Sequence, residues 1–313
     1  MTSWQLRRVP FNFQLGDFSL FRISVPLQVR TERLVNDTPP VTTPSVPAEE
    51  LAEGSQGFVI RAMPLAKTVP TKSCIGSYLC YVPRQYEHCY IDLAIGFERY
   101  KEKFSSKTRS TMLRKVRKYG EFCGGPVVWK TYRTPVEFEQ YFSLAVELSK
   151  TTYQDRLLDA GLPSSPEFIQ QTMELAGDDS VRGYVLFHGE KPVSYLFCPI
   201  QEGVLSYSYV GYDPAYMELS VGTVLQWLAV EALFNEGKFR YFDFTEGQSD
   251  HKRLFATDRR LCANVFLLRN SVSHRILVSF HQRMDRFSEW LGKTMERHGV
   301  KARIKRVLRF SIR

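Results

Sequence analysis

The chain has 313 residues, 43% hydrophobic and 24% charged, with a formal net charge of +9. That composition excludes a disordered polymer, and no run approaches the ~18 apolar residues of a membrane span. The cationic excess favours anionic partners such as nucleotides, nucleic acid, acidic glycans or a membrane surface. The six cysteines form no C-x-x-C pair and no zinc spacing, so they are expected as reduced thiols in a cytoplasmic protein without metal. The opening MTSWQLRRVPFNFQLG has no apolar core of the secretory type.

FSLFRISVPLQV alternates as β structure, and the Pro/Thr-rich stretch 36–50 reads as an exposed loop. GFVIRAMPL and CIGSYLCYVPRQYEHCYIDL read as further short strands. Residues 1–99 therefore form an expected N-terminal α/β part. A basic helix follows in SSKTRSTMLRKVRKYG, with Met112, Leu113, Val116 and Tyr119 as its apolar stripe and Gly120 as its stop.

Thr134-Pro135-Val136-Glu137 is a capping box with proline at the first helical position. Phe138, Tyr141, Phe142, Ala145 and Leu148 then make a buried face. Ser165-Pro166 opens another helix, and TTYQDRLLDAGLP before it is expected to line a cleft as a loop or short helix. VRGYVLFHGEKPVSYLFCPI is a hairpin turning at Gly189-Glu190.

From Val204 to Phe255 the pattern is strand, loop, helix, strand and a polar cluster, a βαβ crossover. The helix N-terminus offers unpaired N–H groups to an anion. The second strand runs into Glu246, Asp250, His251 and Lys252, so titratable groups stand beside that anion site. Together they point to group transfer from a phosphate-bearing donor. LCANVFLLR is a last strand. An amphipathic helix starts at Val272, and the tail 293–313 carries eight Lys/Arg against one Glu, suited to an anionic membrane surface.

Three segments, SSKTRSTMLRKVRK, GYDPAYMELSVGTVL and YFDFTEG followed by HKRLF, together with the hairpin resemble the GNAT acyltransferase fold over residues 100–270. Their details are similar to the CelD-like (cellulose-biosynthesis) acetyltransferases, which are related to the Fem-type peptidyltransferases. The resemblance implies an α/β fold: a GNAT-like mixed sheet with helices on both faces in 100–270. The smaller N-terminal α/β part precedes it, as in Fem-type relatives with two tandem GNAT halves. A basic helical extension, 271–313, follows.

The resemblance also implies chemistry. An acyl group passes from acetyl-CoA or a longer acyl-CoA to an amine. The family's pyrophosphate loop, Arg/Gln-x-x-Gly-x-Gly, is matched at Met217, Ser220 and Gly222, of which only Gly222 is kept. The amides of Val221, Gly222 and Thr223 face the phosphates, with Ser220 as cap residue. Backbone at Tyr209, Val210 and Gly211 is implied to hold the oxyanion.

Glu246 and His251 are the candidate bases. Asp243, expected on one strand face with Tyr241 and Thr245, either orients a neighbour such as His251 or binds the amine. Lys252 holds a phosphate or carboxylate. Tyr207 and Tyr209 are expected on the same face, lining the acceptor pocket or serving as acid. The leading function is an acyl-CoA-dependent N-acyltransferase acting on an amino sugar, amino acid or small amine, in envelope polysaccharide metabolism. The alternatives are a Fem-type transferase using charged tRNA, and a non-catalytic scaffold in polysaccharide assembly.

Overall fold

A computed structural model of the chain describes residues 4–15, 18–36, 38–151, 161–247 and 249–297. The basic tail beyond 297, and most of the stretch expected to line a cleft (152–160), lie outside the described residues. Strands β1 (Gln5–Leu15), β2 (Phe18–Thr31), β3 (Gly57–Pro64), β4 (Lys72–Ile75), β5 (Tyr78–Tyr81) and β6 (Gln85–Asp92) come first. Helices α1 (Phe97–Glu102) and α2 (Ser106–Cys123) follow, then β7 (Val128–Tyr132), α3 (Pro135–Thr151) and α4 (Pro166–Gly177). Next are β8 (Val181–His188), β9 (Lys191–Gln201), β10 (Val204–Ser206), β11 (Tyr209–Tyr212) and α5 (Val221–Glu236). β12 (Tyr241–Asp243), α6 (Asp250–Phe255), β13 (Asp258–Arg269) and α7 (Val272–Arg297) complete the order.

The chain divides into two compact units, one of residues 1–88, 246–248 and 260–313, the other of 89–245 and 249–259. In the first, β1 and β2 form an antiparallel hairpin and β2 runs parallel to β3. β13 pairs with both β3 and β5, and β5 with β4. The first unit's own N-terminal sequence supplies strands; its long helix, α7, comes from the far end of the chain. α7 sets Leu277 and Val278 into a core with Val9, Phe11, Phe13, Val25, Leu27 and Val29.

The second unit is organised by alternation in its strands. β7, β8 and β9 are antiparallel neighbours. β9 sends Leu196 and Cys198 to one face, where α2 and α5 close the core with Met112, Tyr119, Val224 and Leu225. It sends Tyr195 and Phe197 to the other, where α3 and α4 pack through Phe138, Tyr141, Leu148 and Ala176. The α3 capping box forms as expected: Thr134 Oγ1 accepts from Glu137 N–H at 3.3 Å, and Glu137 Oε2 accepts from Thr134 N–H at 3.0 Å.

α2 departs from expectation in two ways. It runs through Gly120 and stops at Gly124, whose φ of 72° suits the left-handed terminator. Gly120 is small for another reason: a Cβ there would stand 3.0 Å from Gly125 O. Leu113 is exposed rather than inward, because the buried stripe runs through Met112, Val116 and Tyr119.

An ion cluster anchors the end of α5. Arg182, fully buried in β8, donates Nη2–H to Glu236 Oε1 at 2.5 Å and Nη1–H to the carbonyl of Val181 at 2.8 Å. Its Nη1 also lies 2.8 Å from Asp179. Glu236 is the last residue of α5, where the helix dipole disfavours an anion. Arg182, Arg133 at 3.4 Å and Lys238 at 3.9 Å make the carboxylate tenable there.

Candidate active site

The parallel crossover strands separate at a β-bulge. β10 pairs with β12 over three positions, from Val204–Tyr241 to Ser206–Asp243. On its other side Leu205 faces Ile200 of β9 whereas Tyr209 faces Phe197, so four steps on one strand meet three on the other. The extra residue falls at Ser206–Ser208, with Ser208 N–H donating to Phe197 O at 3.2 Å. Beyond it β11 stays with β9. The chain after β12 turns to the other neighbour, with Phe244 N–H donating to Cys89 O at 3.1 Å. A gap opens between β11 and β12.

Backbone amides of β11 turn toward this gap. Asp213 N–H donates to Val193 O at 2.9 Å. Alternation in the antiparallel pair then turns the amides of Tyr209 and Gly211 toward β9 and that of Val210 away from it. Of the three residues implied for the oxyanion, Val210 therefore holds the available donor.

The bulge also overturns one expectation. Tyr207 and Tyr209 point to opposite faces, because an extra residue between them inverts the alternation. The Tyr207 ring packs on Phe242 at 5.8 Å and Phe244 at 5.5 Å, and burial pushes its hydroxyl pKa well up. The Tyr209 ring packs on Phe168 at 5.8 Å and Phe197 at 5.9 Å on the α4 side.

On that α4 side lies an open cleft of about 430 Å³, lined by Phe168, Gln171, Thr172, Phe197, Tyr209 and Thr245 among others. Burial alternates along β12 and its continuation, with Phe242 and Phe244 buried and Asp243 and Thr245 half-buried, so the latter two share the cleft's face. Asp243 Oδ1 accepts from Thr245 N–H at 2.7 Å. That bond holds Thr245 at φ 59°, a conformation costing a non-glycine residue about 1–2 kcal/mol. A carboxylate thus braces a strained residue at the cleft wall.

The opposite face carries the start of α5. A 3₁₀ turn over Pro214–Leu219, with Met217 exposed, leads to Ser220 in the left-handed conformation (φ 55°, ψ 38°). Ser220 occupies the N-cap position, but this geometry leaves its side chain making no cap bond. It holds the backbone shape that glycine adopts freely, so serine keeps the loop's path. Thr223 N–H turns back on Ser220 O at 2.9 Å, which leaves Val221 and Gly222 as the amides at the open helix end. Ser220→Gly is expected to raise stability by about 1 kcal/mol by relieving the backbone, read as an upward shift in the denaturation midpoint.

Two observations describe the room and the polarity at this end of α5. An added Cβ at Gly222 would meet only Tyr212 Cδ1, at an ordinary 3.5 Å, so packing does not require glycine. One turn along the same face, Gln226 is buried with neither amide atom partnered among the described residues. Gly222→Ala is expected to leave stability unchanged or raise it by up to about 1 kcal/mol.

The candidate bases are not brought together. His251 sits in α6, which Ser249 caps by accepting from Lys252 N–H at 3.2 Å. Its partners are the Phe255 ring at 4.9 Å and the charges of Lys115 and Lys252, not Asp243. Burial first, then those lysines, hold its pKa below 6.5. Such a group favours the fold above its unfolded value and loses that contribution as pH falls through the lower folded one. Tm should therefore drop between pH 7 and 5, and less so in His251→Phe. Glu246 lies with the first unit, where Asn264 Nδ2 donates to both its oxygens at 3.0 and 2.9 Å.

Residues 106–253 match the family model described as an acetyltransferase (GNAT) domain. The β10–α5–β12 crossover lies within the matched residues. The crystal structure of FemX matches at 11% identity over 88% of this chain and 90% of that one, with a TM-score of 0.50, which concerns the fold. The C-terminal domain of a putative lysylphosphatidylglycerol synthetase from Agrobacterium fabrum matches at 10% identity over 72% and 71% of the two chains, TM-score 0.48. L-PGS from Bacillus licheniformis matches at 13% over 73% and 72%, TM-score 0.43. No curated protein matches the chain in sequence.

Proposed function

We propose that the chain is an acyl-CoA-dependent N-acyltransferase whose amine acceptor, an amino sugar, amino acid or similar amine, enters by the α4 cleft. The observation that carries this reading is the bulge-driven gap. It gives one site access to an amide-bearing helix end on one face and an aromatic cleft with the Asp243 carboxylate at its wall on the other. Val221 and Gly222 receive the donor's phosphates, and Gln226 pairs with its amide arm. Val210 N–H stabilises the oxyanion as the amine nitrogen bonds to the carbonyl carbon.

Asp243 accepts the proton that the amine loses. The Tyr209 hydroxyl protonates the departing thiolate as the C–S bond breaks. The cleft's Phe168 and Tyr209 rings, with Gln171 and Thr172 beside them, suit a ring-bearing body around that amine. A place in envelope polysaccharide metabolism rests on the CelD-like segments alone. His251, Lys252 and Met217 are assigned outer roles, near the phosphates rather than the acyl carbon.

Asp243→Asn is expected to lower kcat about 10²–10⁴-fold, measured by acetyl transfer to an amine panel, with acetyl-CoA affinity retained. Unchanged activity in that variant and in Tyr209→Phe would remove both residues from the reaction, and no transfer by the wild-type chain to any amine would point to a scaffold. A second reading, aminoacyl transfer from charged tRNA, is favoured by Met217 and Ser220 in the loop and by the likeness in fold to FemX. A thermal shift separates the two. A ligand at about 100 times its Kd adds about 2.7 kcal/mol, so acyl-CoA should raise Tm visibly. No shift with any CoA species, but retention by charged tRNA, would favour the second reading.

A further inference from the structure

The outward side of α7 carries an apolar stripe. Val272, Ile276, Phe280, Phe287 and Trp290 are 75, 65, 45, 49 and 59% exposed. Their spacing places them on one side of the helix, opposite the buried Leu277 and Val278. Phe287 and Trp290 stack on each other at 5.7 Å. Phe280 stacks at 6.3 Å on Phe21 of β2, which with Ile23 extends the face onto the hairpin.

The charges around the stripe are of one sign. Arg283 stands between Phe280 and Phe287, Arg286 is one turn before Trp290, and both are exposed, as is Arg275. Asp285 turns inward to His281 at 3.3 Å, and Glu289 lies on its side of the helix, off the stripe. The sequence 301–313 adds six Lys/Arg and no acid.

We infer that this face docks on an anionic lipid surface, with α7 lying in the plane of the interface. An amphipathic helix with aromatic residues on one side and cations flanking them has the chemistry of that environment. Charge decides against a second copy. A two-fold contact through the stripe repeats the same patch on both partners and would set Arg283 and Arg286 against their own kind, with no acid on the stripe to pair them.

The test is vesicle flotation of the full chain with phosphatidylglycerol/phosphatidylcholine and with pure phosphatidylcholine vesicles, at low and high salt. The chain should float with the anionic vesicles, with less bound at high salt, and stay down with the neutral ones. Trp290→Ser/Ile276→Ser and, separately, Arg283→Glu/Arg286→Glu should each cut the floated fraction at least fivefold at unchanged Tm. Failure to float with anionic vesicles, or flotation indifferent to both pairs, would overturn the proposal. So would sedimentation showing a dimer that the apolar pair dissolves, which assigns the stripe to a second copy. If only a chain ended after residue 297 floats, the tail covers the stripe and the proposal also falls.

Discussion

Val210→Pro should lower kcat about 10²–10³-fold, the usual cost of losing one oxyanion donor, while Tm moves little. Proline removes the backbone N–H and nothing else that the reaction uses. In most strands that would also break a ladder bond. At Val210 the amide faces the gap, because Asp213 N–H to Val193 O fixes the opposite phase for the β9 side. Proline is tolerated where the N–H does not join the sheet. Gly211→Pro is the control: its amide serves β9, so that variant should lose stability as well. Steady-state acetyl transfer and thermal melts on both variants separate chemistry from fold. Equal kcat in Val210→Pro and wild type would remove this amide from the reaction.

Arg182→Ala should destabilise the second unit by about 3–5 kcal/mol, because it strands a buried carboxylate. Arg182 is fully buried and Glu236 nearly so, and the guanidinium also serves Asp179 and the Val181 carbonyl. Arg133 and Lys238 approach Glu236 less closely, at 3.4 and 3.9 Å, so they offset only part of the loss. Arg182→Met with Glu236→Leu removes both charges. It should recover most of the stability, since a buried pair replaced by apolar groups of similar volume is often neutral or better. Urea melts give both values. A loss below about 1 kcal/mol in Arg182→Ala, the level of a surface pair, would contradict the buried-pair reading.

The crossover was legible in the sequence because each part has its own period: an apolar helix, a bounded strand on either side and a Gly237 terminator. The bulge was not. VLSYSYVGYDP alternates evenly and has no glycine or proline at residues 206–208 to mark an inserted residue, so Tyr207 and Tyr209 read as neighbours on one face. The insertion is imposed by the partners, since β12 and β9 draw the two ends of the stretch apart.

His251 was misplaced for a related reason. Nearness in sequence to Asp243 suggested a shared site, but the Ser249 cap starts a helix that carries the imidazole toward Lys115 of α2. The cleft residue Phe168 showed only core character in sequence, whereas Thr245 was expected on the strand face it shares with Asp243. Gln226 did leave a signal, as the one polar residue in VLQWLAV. The composition of β13 reads as a strand, but its pairing with β3 and β5 from the first part of the chain is a long-range choice that local pattern does not encode.

The most direct test is amide NMR of the labelled chain during titration with acetyl-CoA. The Val210 and Gly222 N–H resonances should move with the same saturation curve. The amides of Tyr209 and Gly211, engaged with β9, should move far less. Saturable binding that leaves Val210 and Gly222 in place would contradict a donor seated in the gap between β11 and β12.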